Sequence, residues 1–230
     1  MKKEQILRLK IKFESITSPF TKPSEDYIVG CVQTLFGEEN KYHDSFSNYN
    51  VSGLLGGKVQ DDGSMTYPDG CYFLFSSTDE ELISKVVNNL FLKKTDLYLR
   101  EASFEGFEMV FDDINRDYDI VNTISPILLK KDKRYLTFND EDFLEYLTLQ
   151  CKKKLQHEGI SDKEINKFSI EPFHFENGAV KYTKRKNYAL PASNIMLLVK
   201  GSPKCRKIIY ENGFGNSTGY CYGTIKIKES

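Results

Sequence analysis

Gly213-Phe214-Gly215-Asn216-Ser217-Thr218-Gly219-Tyr220-Cys221-Tyr222-Gly223 gathers four glycines and three aromatics into eleven residues. Glycine lets backbone N–H groups approach a phosphate without interference from a Cβ. A Walker A loop is excluded, because no Lys-Ser or Lys-Thr follows the glycines. A dinucleotide fingerprint leaves a strand and opens a helix, whereas this stretch does the reverse. Upstream, Ser202 caps a short helix with Pro203 at its first position, and Gly213 ends it. Downstream, Thr224-Ile225-Lys226-Ile227-Lys228 alternates as a strand. A helix C-cap accounts for Gly213 but not for the glycines beyond it.

Outward from the loop, residues 193–199 (Ser-Asn-Ile-Met-Leu-Leu-Val) are expected to form a buried strand. Strands near 167–175 and 178–184 are expected to pair as a hairpin through the turn dipeptide Asn177-Gly178. A helix begins after Asn139 with Phe143, Leu144, Leu147, Cys151 and Leu155 inward, and a strand covers about 119–130. The acidic stretch Asp112–Asp119 marks a boundary. In the first half, Leu7, Leu9, Ile11 and Phe13 alternate with Arg8, Lys10, Lys12 and Glu14, a strand with one largely basic face. Ser24 opens a helix whose Tyr27, Ile28, Cys31, Val32, Leu35 and Phe36 share a side. Residues 37–70 are irregular, with one short strand near 49–57, and Cys71–Phe75 is a strand. Thr78 with Glu81 reads as a capping box for a helix burying Leu82, Ile83, Val86, Val87, Leu90 and Phe91. Strands near 97–103 and 106–111 follow. The order β-α-β-β-α-β is the ferredoxin-like unit, and the second half repeats it. The expected fold is α+β, two tandem ferredoxin-like domains covering 1–118 and 119–230.

The chain has 230 residues, is 40% hydrophobic, and carries 16 Phe and 14 Tyr, enough for a real core and unlike a disordered chain. No apolar run approaches the roughly 20 residues that span a bilayer, so no membrane partner is expected. The start is too charged for a signal-peptide core. Five widely spaced cysteines without a C-x-x-C pair suggest neither a disulfide framework nor a zinc site, and a cytoplasmic protein is expected. The net charge of −1 conceals an asymmetry: residues 1–122 hold 13 Lys+Arg and 21 Asp+Glu, whereas 123–230 hold 19 and 12. The second half, at net +7 against −8, is the side suited to a polyanion.

The glycine-rich segment resembles the C-terminal signature of the RAMP superfamily, in particular the CRISPR-associated repeat-processing endoribonucleases of the Cas-six family. Gly213-Phe214-Gly215 and Cys221-Tyr222-Gly223 keep that family's five-residue spacing between G-aromatic-G triplets, with Cys221 in place of a glycine. Thr123-Ile124-Ser125-Pro126-Ile127 looks like the family's T-x-S-P-I segment. The resemblance implies tandem ferredoxin-like domains with CRISPR repeat RNA held along their cleft. It implies metal-independent, cofactor-free cleavage by ribose 2′-OH attack, leaving a 2′,3′-cyclic phosphate and a 5′-OH. Repeat RNA is the implied partner, with effector-complex subunits and a second copy of the chain left open. Such a reaction needs a proton acceptor, a proton donor and a cation for the charged transition state.

His43 occupies the place of the family's catalytic histidine, before Tyr49-Asn50-Val51-Ser52-Gly53-Leu54, and is the expected general acid or base. The tyrosine expected on the first helix is Gln33 here, and the lysine expected after the histidine is missing. Lys41 or Lys58 would then supply the positive charge and Tyr42 the phenol. His157 reads as a helix-terminal solvent histidine and His174 as a strand residue. For RNA contact, Lys181-Tyr182-Thr183-Lys184-Arg185-Lys186 interleaves cations with an aromatic. Lys204, Arg206 and Lys207 on the last helix, and Gly213, Gly215, Asn216, Ser217 and Gly223 in the loop, complete the expected contact set. Two rival readings remain: a catalytically silent RNA-holding relative, favoured by the missing partners, and a ferredoxin-like module for a protein or small ligand, favoured by the acidic first half.

Overall fold

The computed structural model describes residues 4–20, 24–37, 48–92, 97–115, 117–185 and 188–228, with the side chains of 183–185 and 188 excepted. In β1 (Gln5–Phe13), Leu9, Ile11 and Phe13 are buried on one face while Lys10 and Lys12 stay half-exposed on the other. α1 (Ser24–Phe36) presents Ile28, Cys31, Val32, Leu35 and Phe36 to the same core. β2 (Tyr49–Val51) follows, then a small hairpin of β3 (Lys58–Val59) and β4 (Met65–Thr66), then β5 (Cys71–Ser77). α2 (Glu80–Leu92) buries Leu82, Val86 and Leu90, and β6 (Tyr98–Leu99) turns back into β7 (Ala102–Asp113). The antiparallel sheet runs β2-β5-β1-β7-β6. Its first four strands have ferredoxin-like order, the first and third strands of the unit lying side by side at the centre.

The second half repeats the plan. β8 (Tyr118–Thr123) leads to a hairpin of β9 (Leu129–Lys131) and β10 (Arg134–Leu136). α3 (Phe143–His157), a short α4 (Asp162–Ile165) and β11 (Ser169–Phe173) come next. A second hairpin, β12 (Ala179–Arg185) with β13 (Tyr188–Asn194), precedes β14 (Met196–Lys200), α5 (Pro203–Asn212) and β15 (Ile225–Ile227). The sheet order β11-β14-β8-β15 is again ferredoxin-like. The chain is therefore two tandem ferredoxin-like units, the second carrying both hairpins as insertions. Each sheet has its own apolar core, around Leu9, Phe73 and Phe75 in one and Val121, Leu147, Leu197 and Ile209 in the other.

Several local expectations change. The strand at 169–173 pairs with β14, not with 178–184, because His174 takes a left-handed conformation (φ 50°) and a 3-10 turn at Phe175–Asn177 carries the chain off the sheet. The hairpin joins β12 to β13 instead, so the span expected as one strand at 193–199 divides at Ile195 between hairpin and sheet. Thr78 is not the cap of α2. Asp79 accepts from the Leu82 amide at 3.0 Å, while the Thr78 hydroxyl reaches Glu158 and Asn212 of the other half. The strand expected over 119–130 breaks at Ile124-Ser125-Pro126. The strands at 97–103 and 106–111 become a two-residue β6 and one continuous twelve-residue β7.

Candidate nucleic-acid interface

The glycine-rich loop lies between the two halves. On the first-half side, the buried Asn50 side chain donates to the carbonyls of Tyr222 (2.8 Å) and Thr218 (3.2 Å) and accepts from the Thr224 hydroxyl (2.6 Å). The Thr218 hydroxyl donates to the Tyr49 carbonyl at 3.0 Å. On the other side, the Asn216 amide donates to the Leu128 carbonyl, and its side-chain oxygen accepts from the Lys130 amide, both at 2.8 Å. The Gly223 amide donates to the Pro126 carbonyl at 3.0 Å. Ser125 accepts from the Gly53 amide at 2.8 Å, so the Thr123–Ile127 segment also belongs to the seam.

These contacts explain the glycines. A Cβ at Gly213 would collide with Asn50, one at Gly215 with the Leu128 carbonyl, and one at Gly223 with the Phe214 carbonyl. All three have positive φ near 71°. Gly219 makes room for the Tyr49 ring, 2.6 Å from where its Cβ would stand. The expectation that Gly213, Gly215 and Gly223 face phosphate is corrected: they are buried, and the space their missing side chains leave is filled by protein. Cys221 adopts a left-handed conformation as well (φ 65°) and points into the first-half core, away from the loop's outer rim. That rim is Asn216, Ser217, Gly219 and Tyr220, all half-exposed.

Arg206 is a second correction. It is fully buried, paired with Asp119 at 2.5 Å, and donates to the carbonyls of Asn115 (2.6 Å) and Gly201 (3.1 Å). The Tyr210 hydroxyl also donates to Asp119, at 3.1 Å, and burial beside that carboxylate pushes the phenol well above its ordinary pKa. Arg206 therefore closes the boundary segment on α5 and offers nothing to a ligand. Lys204 is exposed but opens α5, about 14 Å of helix from the glycine loop at its other end. Lys207 lies 4.0 Å from Glu4.

Of the basic hairpin, Lys181 and Tyr182 are exposed, and Lys181 pairs across the strands with Ala192. Lys184 and Arg185 have described backbone in β12, but their side chains lie outside the described residues, as does Lys186. β13 fastens the hairpin to the loop: Leu190 and Ala192 pack with Leu128 and Tyr222, and Tyr135 and Tyr220 lean on that cluster. The loop rim, β9–β10 and β12–β13 thus share one surface. His43, Lys41 and Tyr42 lie outside the described residues. Lys58 is salt-bridged to Asp69 at 2.5 Å, Gln33 is exposed on α1, and His174 contacts Glu176 at 2.8 Å at the end of β11.

Three charged side chains of the seam have buried roles that the sequence did not show. Arg8, 2% exposed, pairs with Asp112 and donates to the Ile225 carbonyl at 2.9 Å; burial lowers its pKa to about 10, leaving it charged at neutral pH. Glu211 accepts from the Leu7 amide at 3.1 Å, and burial raises its carboxyl to about 7. Lys154 donates to the Gly213 carbonyl at 2.7 Å and the Asn212 carbonyl at 3.3 Å, capping the C-terminal end of α5. Burial depresses it to about 8. A buried residue inside an otherwise amphipathic pattern leaves no periodic mark, which is why Arg8 and Lys154 pass as solvated cations.

Residues 108–227, which hold the glycine-rich loop and the β9–β10 and β12–β13 hairpins, match the family model described as CRISPR associated protein Cas6, C-terminal. The chain belongs to the Cas6 family. Solved structures agree on the fold. A CRISPR associated protein Cas6 superposes with a TM-score of 0.77 at 21% identity, covering 98% of this chain and 100% of that one. A Cas6-related protein from Pyrococcus furiosus gives 0.75 at 18% identity, with 97% and 99% covered. A structure described as an RAMP protein binding different RNA substrates gives 0.79 at 18% identity, with 97% and 100% covered. No curated protein matches the chain. Among the described residues, no helix is long and apolar enough to cross a membrane.

Proposed function

We propose that this Cas6 family member is a cytoplasmic, metal-independent endoribonuclease that cuts CRISPR repeat RNA within the precursor transcript. The observation that carries the reading is the family match over residues 108–227, a stretch holding the glycine-rich loop, the β9–β10 and β12–β13 hairpins and the second-half side of the seam. In the proposed reaction the ribose 2′-OH attacks the adjacent phosphorus and gives its proton to a base. The 5′-oxygen leaves with a proton from an acid, so the products are a 2′,3′-cyclic phosphate and a 5′-OH. His43 is proposed as one proton-transfer group, with Lys41 stabilising the charged phosphorane and Tyr42 as the second proton-transfer group. These three roles rest on the family resemblance. Lys181, Lys184, Arg185 and Lys186 on the basic hairpin, with Asn216 and Ser217 on the loop rim, are proposed to hold the RNA. Lys204 is proposed to bind the backbone further along.

One observation favours a second reading, an RNA-holding relative that does not cut: Gln33 stands on α1 where the resemblance leads one to expect a tyrosine. The test is incubation with end-labelled repeat RNA in excess EDTA, beside His43→Ala and a repeat carrying a 2′-deoxy substitution at the cut site. The enzyme reading expects cleavage by the natural chain, none of the deoxy repeat, and cleavage slowed at least about 100-fold by His43→Ala. Tight binding without cleavage selects the silent reading.

A further inference from the structure

The hairpin β9–β10 and the loop rim border an open cavity of about 440 Å³ lined by Leu128, Lys130, Asp132, Tyr135, Asn216 and Ser217. We infer that this cavity is a subsite for one unpaired nucleotide of the bound RNA, its base stacked on Tyr135 and its phosphate on Lys130. The inference rests on the RNA-binding reading above and adds a hairpin to it.

Four features carry it. Tyr135 is half-exposed, and its ring leans on the Leu128, Leu190, Ala192 and Tyr222 cluster, which fixes it as a platform. The Lys130 ammonium stands 5.8 Å from the centroid of that ring and has no carboxylate partner among the described residues. Its neighbour Lys131, by contrast, is neutralised by Asp142 at 2.7 Å, so Lys130 is the cation left for a ligand. Asn216 spends its side-chain oxygen on the Lys130 amide at 2.8 Å, which leaves its amide NH₂ as a donor for the pocket. Finally, Asp132 on the cavity wall disfavours a phosphate inside and accepts from the N–H groups of a base edge. A polar pocket with one aromatic face, one donor, one acceptor and a cation suits a nucleotide. It offers little to a purely apolar ligand.

The position makes the subsite continuous with the rest of the surface. β10 lies against β13, and Lys181 projects from the partner strand of that hairpin. A single strand running along the basic hairpin would reach the cavity next.

The test measures equilibrium binding of repeat RNA from the chain's own locus across a salt series, for the natural chain, Tyr135→Phe, Tyr135→Leu, Tyr135→Ala and Lys130→Ala. Losing a stacked base costs about 5- to 150-fold in affinity. Tyr135→Ala and Tyr135→Leu are expected to lose that much, Tyr135→Phe less than about twofold, and none to change the salt slope. Tyr135→Leu keeps the apolar contact with Leu128, so its loss cannot be laid to a collapsed hairpin. Lys130→Ala is expected to reduce the slope of log K against log salt by about 0.7–0.9, the signature of one phosphate contact. If the natural chain binds and both Tyr135→Leu and Lys130→Ala match it, the subsite is overturned while the RNA reading stands. If the natural chain itself fails to bind, both fall.

Discussion

Asn50 and Tyr222, 172 residues apart, are joined by a buried hydrogen bond of 2.8 Å from side-chain amide to backbone carbonyl. The same amide holds Thr218 and accepts from Thr224, so one side chain of the first sheet secures three points around the glycine-rich loop of the second half.

Asn50→Ala strands two carbonyls and a hydroxyl in a buried site. An unsatisfied buried polar group costs about 1–3 kcal/mol, and the variant is expected to lose at least about 2 kcal/mol in urea unfolding. Asn50→Asp keeps the acceptor for Thr224 but loses the donor, and is expected to be no better.

Gly223→Ala and Gly30→Ala separate the two uses of glycine. At Gly223 the backbone is left-handed and a Cβ meets the Phe214 carbonyl; the cost is expected to exceed about 3 kcal/mol or to abolish folding. Gly30 is an exposed interior position of α1 with nothing within 4 Å. Alanine there is expected to stabilise by about 0.5–1 kcal/mol. Equal effects would contradict the packing explanation of the loop.

Arg206→Ala is expected to act on stability rather than on RNA. Breaking a buried ion pair costs about 3–5 kcal/mol because the surviving charge stays buried, here Asp119. At temperatures where the variant remains folded, its salt slope for RNA binding should equal that of the natural chain. A reduced slope would restore Arg206 to the contact set.

Glu211 and Lys154 give the seam opposite pH dependences. Folding raises Glu211 from 4.5 to about 7, so the folded chain retains a proton that the unfolded chain has released. Its contribution to stability is complete below about 4.5 and lost as pH rises to about 7. Folding lowers Lys154 from 10.5 to about 8. Its contribution is complete above 10.5 and lost as pH falls to about 8. Urea midpoints measured over pH 4.5–7 should fall less steeply in Glu211→Gln than in the natural chain. Between pH 8 and 10.5, Lys154→Met should lack the upward contribution the natural chain shows. Parallel curves would remove both residues from the account.

The order of elements was legible because Leu9, Ile11 and Phe13, or Val86 and Leu90, keep the period of their element. Strand partnership was not. Asn177-Gly178 carries the strongest local turn signal, yet the left-handed turn at His174 takes the chain off the sheet before it can act. The glycine loop was legible as a family mark, and its rim at Asn216 and Ser217 is indeed on the surface. Its buried glycines were misread because a sequence shows that a Cβ is missing but not which atom needs the room. Arg206 was misread for a related reason: a lone arginine on a helix looks the same whether it meets solvent or Asp119. Asn50, Lys130 and Tyr135 could be weighed only once tertiary contacts set them beside the loop.

The Arg8 link to Ile225 spans 217 positions and the Asn50 link to Tyr222 spans 172, so the seam has a place in time as well as in space. Each sheet can close on partners within its own half, whereas Arg8 and Asn50 must wait for residues near 220. At synthesis rates of about 5–20 residues per second, that interval is about 10–40 s. During it, the first half carries a buried-type arginine and amide facing water, and the surface shared by loop and hairpins does not exist. The loop and hairpins can share that surface only after residues near 220 have been synthesised, so its assembly trails the closing of the first sheet.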